Sequence, residues 1–178
     1  MERKRLEQWM ERYSKDIYSF CCYLTRNQQE ADDLYQDAFV YVLGTSGFPE
    51  DDEDAKNLML SVALRQWKDK KRKFARRQRI MEESYIPREV AKADIAGTDS
   101  VEEEIIRQEE VQRVRACVEK LPEKMKVVVL LYYMENRKMT EIATMLHLPL
   151  GTVKSRLYKS RELLERELLS GAKGGHDQ

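Results

Sequence analysis

Glycine and proline are scarce in this chain of 178 residues, at seven and four. That excludes an all-β fold of many short strands with tight turns, and it excludes collagen-like sequence. Cysteine is rarer still: Cys21, Cys22 and Cys117 are an odd number, two of them adjacent, with no Cys-x-x-Cys spacing. They fit reduced, intracellular thiols and neither a disulfide framework nor a zinc site. No run of 18 apolar residues occurs, so no membrane-spanning helix is expected. The first residues carry acids and lead into no apolar h-region, which is not the pattern of a secretory signal, and a cytoplasmic protein is expected. Motifs of catalysis are missing too. There is no Gly-rich phosphate loop, no His-Glu-x-x-His and no Gly-x-Ser-x-Gly, and His147 and His176 lack partners at ligand or triad spacing. No enzyme activity, metal or cofactor is expected.

Net charge is also absent, since 32 Lys+Arg balance 32 Asp+Glu, but charged residues are plentiful at 36%. That exceeds the ~25% of an ordinary soluble domain and leaves little apolar material for one large core. The charges are laid out in blocks. Residues 30–54 hold nine acids and no base, and residues 65–79 hold nine bases and one acid, Asp69. Residues 82–110 return to ten acids against three bases, and residues 111–161 swing to eleven bases against four acids. Two basic blocks divided by an acidic one fit two nucleic-acid contacts joined by a segment that avoids nucleic acid. Charge alone fits solvated helix faces equally well.

Apolar spacing is helical throughout, so the expected fold is all-α. Leu6, Trp9, Met10, Tyr13, Ile17, Phe20, Cys21 and Leu24 recur at steps of three and four and form one stripe. A second helix carries Ala31, Leu34, Ala38 and Val42 and stops at Gly44-Thr-Ser-Gly47; Phe48, Pro49 and a run of acids follow as a loop. From about Asp54 a third helix holds Leu58, Met59, Val62 and Trp67 and runs into the basic block. Residues 1–79 make a first domain of a size that folds alone. Residues 80–100, with Pro87 and Gly97, read as a flexible acidic linker. Ser100-Val-Glu-Glu103 has the form of a capping box. It opens a helix carrying Ile105, Val111, Val114, Val118 and Leu121, which Pro122 ends. Residues 101–170 form a second helical domain, and residues 171–178 read as a disordered tail.

The most informative stretch is 140–161. Thr140 can cap a short helix whose inward face is Ile142, Ala143 and Leu146, with Leu148 beneath the following turn. His147 stands where the tight turn needs a residue tolerant of left-handed backbone. Pro149 pre-sets the start of the next helix, whose inward residues are Val153 and Leu157. Thr152, Lys154, Ser155, Arg156, Tyr158, Lys159 and Arg161 are left for its outer and flanking faces. Small residue, turn, proline and basic helix at these offsets make a helix-turn-helix. A cationic second helix of this kind fits a major groove.

Three motifs, in order, resemble a known family. Glu30-Ala-Asp-Asp-Leu-Tyr-Gln-Asp-Ala-Phe39 is similar to the core-binding helix of bacterial RNA polymerase sigma factors. Leu58-Met-Leu-Ser-Val-Ala-Leu-Arg-Gln-Trp-Lys-Asp69 resembles their −10-element helix. Leu121-Pro-Glu-Lys124 with Leu148-Pro-Leu-Gly-Thr-Val-Lys-Ser-Arg-Leu157 resembles their −35-binding domain. The two-domain order resembles the extracytoplasmic-function (ECF) group of the sigma-70 family. The family often has Trp where Leu58 stands and Asn where Arg65 stands, whereas Asp69, Gly151, Thr152 and Val153 match. The resemblance implies core RNA polymerase, promoter DNA and an anti-sigma factor as partners.

Physical chemistry fits those roles. Asp33, Gln36 and Asp37 fall at i, i+3 and i+4 and share one helix face, suited to a basic coiled coil. In the family that partner is the clamp-helix element of the polymerase's largest subunit. Arg65, Trp67, Lys68, Arg72 and Arg76 combine cations with an aromatic, as Phe74 does further along. Such a mixture suits melted strand, with rings stacking on bases and cations tracking the backbone, although Trp67 fits a core position equally well. A linker over residues 80–100 reaches about 70 Å at ~3.3 Å each, on the order of the two duplex turns between the −10 and −35 elements. A stand-alone helix-turn-helix regulator would explain the C-terminal third but not the acidic helix and the basic block. An adaptor working only through helix contacts would leave the basic recognition helix unused.

Overall fold

The computed structural model describes residues 2–25, 27–45, 47–81 and 103–173. All regular structure among them is helical. The chain divides into two compact units, Met1–Asp94 and Ile95–Gln178.

In the first unit, α1 (Glu2–Leu24), α2 (Gln28–Leu43) and α3 (Asp52–Met81) pack around one core. The stripe read from α1 is inward: Leu6, Trp9, Ile17, Phe20, Cys21 and Leu24 are buried. Cys21 is therefore a packing residue. In α2 the buried residues are Ala31, Leu34, Ala38, Phe39 and Val42. Asn27 caps α2, its side-chain oxygen accepting from the Glu30 amide at 2.8 Å.

The third helix starts earlier than its apolar period indicates. Asp51 caps it, accepting from the Glu53 and Asp54 amides at 2.9 and 3.2 Å. Asp52, Glu53 and Asp54 then occupy the first turn, where the helix dipole favours acids. Residues expected in an acidic loop are thus the capped start of α3. Gly47, at φ 93°, makes the sharp backbone turn before it.

The second unit contains α4 (Glu103–Glu119), α5 (Glu123–Val129), a π-helical turn (Leu130–Met134), α6 (Met139–Leu146) and α7 (Leu150–Lys173). Its core draws on Val118, Leu121, Val127, Val128, Leu131, Ile142, Val153 and Leu157. Among the described side chains of α4, Cys117 and Val118 join it, whereas Val111 and Val114, expected on the inward stripe, are 53% and 47% exposed. Two residues expected in the linker, Ile80 and Met81, are the end of α3; residues 82–102, and so Ser100 of the expected capping box, lie outside the described residues.

Three local details differ from the sequence reading. Helix α6 begins at Met139 and not after Thr140, because the Glu141 carboxylate accepts from the Lys138 amide at 2.7 Å and moves the cap upstream. The apolar segment after Pro122 is broken by the π-helical turn, in which the Glu135 amide bonds the Leu130 carbonyl at 3.1 Å. Helix α7 continues to Lys173, three residues into the expected tail. Two contacts tie its last turns to α4: Arg113 donates to the Leu168 carbonyl at 2.7 Å, and Lys120 pairs with Glu167 at 2.9 Å.

Candidate nucleic-acid and protein interface

Helix α2 has one side in the core, so its remaining faces are fixed by geometry. Asp33, Gln36 and Asp37 are exposed together on the far side from Leu34 and Ala38. The same ridge continues into Val40 and Leu43, which are 68% and 57% exposed. These two were missed in the sequence, although the signal was there: they lie four and seven residues beyond Gln36, off the inward stripe. The face is acidic at one end and apolar at the other, which can bind a basic partner that also offers apolar side chains.

Helix α3 brings its bases alongside this face. Lys70 pairs with Asp37 at 2.8 Å. The Arg65 guanidinium carbon lies 4.7 Å from the Tyr41 ring centroid. Arg72 and Arg76 are exposed, Arg72 3.8 Å from Asp69, and Lys68 is half-buried. Trp67 requires a correction. It is only 7% exposed, because Leu60, Ala63, Leu64 and Trp67 recur at helical steps on the inward side. The Lys71 ammonium lies 4.9 Å from its ring centroid. The indole is core, and the ring free for stacking on α3 is Phe74, 60% exposed.

The start of α3 is anchored to α1. Asp52 accepts from Arg12 at 2.7 Å and from the Tyr13 hydroxyl at 3.0 Å, and Lys56 donates to Asp16 at 3.2 Å. Trp9 meets Phe48 edge-on at 5.7 Å between centroids. Bases from outside the acidic block thus offset part of its charge, a pairing invisible in a linear count.

In the second unit the helix-turn-helix has the geometry its residues imply. His147 takes the left-handed conformation at φ 53°, ψ 49°, and the Leu148 amide bonds back to the Ala143 carbonyl at 2.9 Å. The Thr152 amide bonds the Pro149 carbonyl at 2.9 Å and starts α7. With Val153, Leu157 and Ser160 buried, Lys154, Ser155, Tyr158, Lys159 and Arg161 are exposed, and Thr152 and Arg156 are half-buried. Ser160 is satisfied within the helix by donating to the Arg156 carbonyl at 2.6 Å. Arg161 differs from its neighbours, since its Nε donates to the Tyr133 hydroxyl at 2.5 Å. That hydrogen bond holds the guanidinium charged, above its already high ordinary value.

Residues 9–78 match Sigma-70 region 2, and residues 111–164 match Sigma-70, region 4. The chain belongs to the sigma-70 family, in its ECF group. It is 25% identical to the ECF RNA polymerase sigma factor SigW of Bacillus subtilis, over 88% of this chain and 84% of that one. It is 26% identical to the RNA polymerase sigma-H factor of Pseudomonas aeruginosa, over 88% of this chain and 82% of that one. Two solved folds are similar. The sigma factor RpoE of Bartonella quintana, in complex with the anti-sigma factor NepR, has a TM-score of 0.73 at 17% identity, covering 93% of this chain and 97% of that one. CnrH, in complex with the cytosolic domain of CnrY, has a TM-score of 0.61 at 16% identity, covering 94% and 90%.

As a sigma factor the chain directs RNA polymerase to promoters. Region 2 spans most of the first unit, including the α2 face and the basic block of α3 as far as Gln78. Region 4 contains the π-helical turn and the helix-turn-helix. No described helix is long and apolar enough to cross a membrane.

Proposed function

We propose that the α2 face of Asp33, Gln36, Asp37, Val40 and Leu43 docks on the clamp helices of the largest polymerase subunit. The observation that carries this is their joint exposure on one ridge, acidic and then apolar, opposite the buried Ala31, Leu34, Ala38 and Val42. Arg65, Lys68, Arg72 and Arg76, with Phe74 in place of Trp67, then follow the melted −10 strand. Lys154, Ser155, Tyr158 and Lys159 on α7 face the −35 major groove, flanked by Thr152, Arg156 and Arg161. Residues 1–79 serve the polymerase and the −10 element, residues 80–100 link, and residues 101–170 serve the −35 element. The factor acts in the cytoplasm, performs no reaction of its own, and is held in check by an anti-sigma factor. This last role is supported by the two similar folds, one solved with an anti-sigma factor and one with a cytosolic partner domain. The test is reconstitution of the purified chain with core RNA polymerase on promoter templates. Promoter-dependent transcripts are expected; tight, specific duplex binding by the chain alone, with core enzyme left unprogrammed, would instead favour a stand-alone regulator.

A further inference from the structure

Tyr133 sits outside the recognition helix yet touches it. It lies in the π-helical turn Leu130–Met134, where the wider backbone inserts a residue into the helical phase. Its ring is braced by Tyr132, edge-on at 4.9 Å between centroids and 83° between planes. Its hydroxyl oxygen accepts from Arg161 Nε at 2.5 Å, and the guanidinium carbon lies 5.7 Å from its ring centroid. Both side chains are exposed, so the pair lies on the surface of the second unit.

On α7, Lys154, Tyr158 and Arg161 follow one another at steps of four and three and form one stripe. Arg161 is far along it. Eleven residues beyond Leu150 is about 16 Å of helix axis at ~1.5 Å per residue. The first turns of such a helix address base edges, and a major groove is about 12 Å wide. A side chain at that distance therefore meets the groove wall, which is phosphate. The chemistry of the pair agrees. A guanidinium has five N–H donors in a rigid fork; Tyr133 takes the Nε donor and leaves the Nη groups, a pair that a phosphate accepts in parallel.

We propose that Tyr133 is a positioning residue that holds Arg161 as a phosphate clamp on the strand bordering the −35 element. This rests on the reading of α7 as the promoter-reading helix. A pre-oriented arginine loses less side-chain freedom on binding than a free one, so the clamp raises affinity for every promoter sequence and selects none.

The test uses holoenzyme assembled from the full chain and core RNA polymerase, binding a labelled promoter duplex across a salt series. Arg161→Ala is expected to weaken binding about 10-fold and to lower the salt slope by about 1. Tyr133→Phe keeps the ring, removes the acceptor and is expected to weaken binding about 3-fold. In the Arg161→Ala background the same change is expected to cost nothing further. Arg161→Lys retains charge without the fork, and it too should be indifferent to Tyr133→Phe. Base preferences in a randomised −35 library should be unchanged by either residue. A Tyr133→Phe loss that persists without Arg161, or wild-type binding by Tyr133→Phe, overturns the proposal. So does a shift of base preference in Arg161→Ala. If Lys154→Ala and Lys159→Ala weaken binding but Arg161→Ala does not, the clamp falls and α7 keeps its role. If none of the three matters, both readings fall.

Discussion

Reversing charge at Asp33 and Asp37 together tests the polymerase-facing surface with little disturbance of the fold. Both side chains are exposed, and the core residue between them, Leu34, is untouched. Within the chain the change breaks the 2.8 Å pair between Asp37 and Lys70, whose side chains are 52% and 42% exposed. A pair so open to solvent contributes about 0–1 kcal/mol. Adding the new repulsion between Lys70 and the substituted side chain, the cost to folding is about 1 kcal/mol, or about 4–8 °C in a unit of this size. The effect on a basic partner is larger. Each site changes from attraction to repulsion, worth about 1–2 kcal/mol at an interfacial dielectric after screening. Two sites then sum to about 2–4 kcal/mol, roughly 30- to 1,000-fold in affinity. The assay is competition with the wild-type chain for core RNA polymerase at low and high salt, with Glu11→Arg on exposed α1 surface as the charge control. The double variant should compete poorly at low salt, and the deficit should narrow as salt rises. Equal competition at low salt, or a Glu11→Arg loss just as large, would refute the assignment of this face.

Three further outcomes are expected. Leu157→Ala, at a position 3% exposed, should destabilise the second unit by about 2–5 kcal/mol; calorimetry should show that unit's transition lowered while affinity for core polymerase is kept. Lys154→Ala and Lys159→Ala should relax preference at particular positions of a randomised −35 library, whereas Thr152→Ala should weaken all sequences alike; an even loss in all three variants would mean that the lysines only position the helix. Tyr18 donates to Asp32 at 2.7 Å, and that hydrogen bond, with some burial, pushes its phenol from 10.0 up to about 12. A phenol raised on folding supports the fold fully below pH 10 and loses that support as pH rises through about 12; urea midpoints of Tyr18→Phe should therefore converge on those of the wild type across that window.

What the sequence disclosed was whatever a single helix encodes by itself. The stripe of α1, the inward set of α2 and the turn at His147 all follow from residue type and a 3.6-residue period, and they were legible. Features that depend on a second segment were not. Trp67 fitted both a basic tract and a core position in the sequence, and the packing decides it: in space it continues the line from Leu60 and Leu64 into the core. Val111 and Val114 looked buried because they are apolar, but α7 meets that part of α4 through Arg113 and leaves both valines about half exposed. The π-helical turn left no periodic trace, since one inserted residue only resets the phase of an apolar run. Of the proposed interface residues, the exposed members of α2 and α7 follow from elimination once the inward positions are known. The tie between Arg161 and Tyr133 crosses 28 residues and has no local signature.

The bond between Asp37 and Lys70 also has a genetic meaning. One residue belongs to the surface assigned to the enzyme and the other to the helix assigned to the melted strand, so a change at Asp37 also alters the surroundings of Lys70. A charge change at Asp37 releases Lys70 to a different local field, and a screen for assembly defects will therefore recover alleles with altered strand opening. Suppressors of such alleles should arise on α3, across the bond, as readily as on the polymerase.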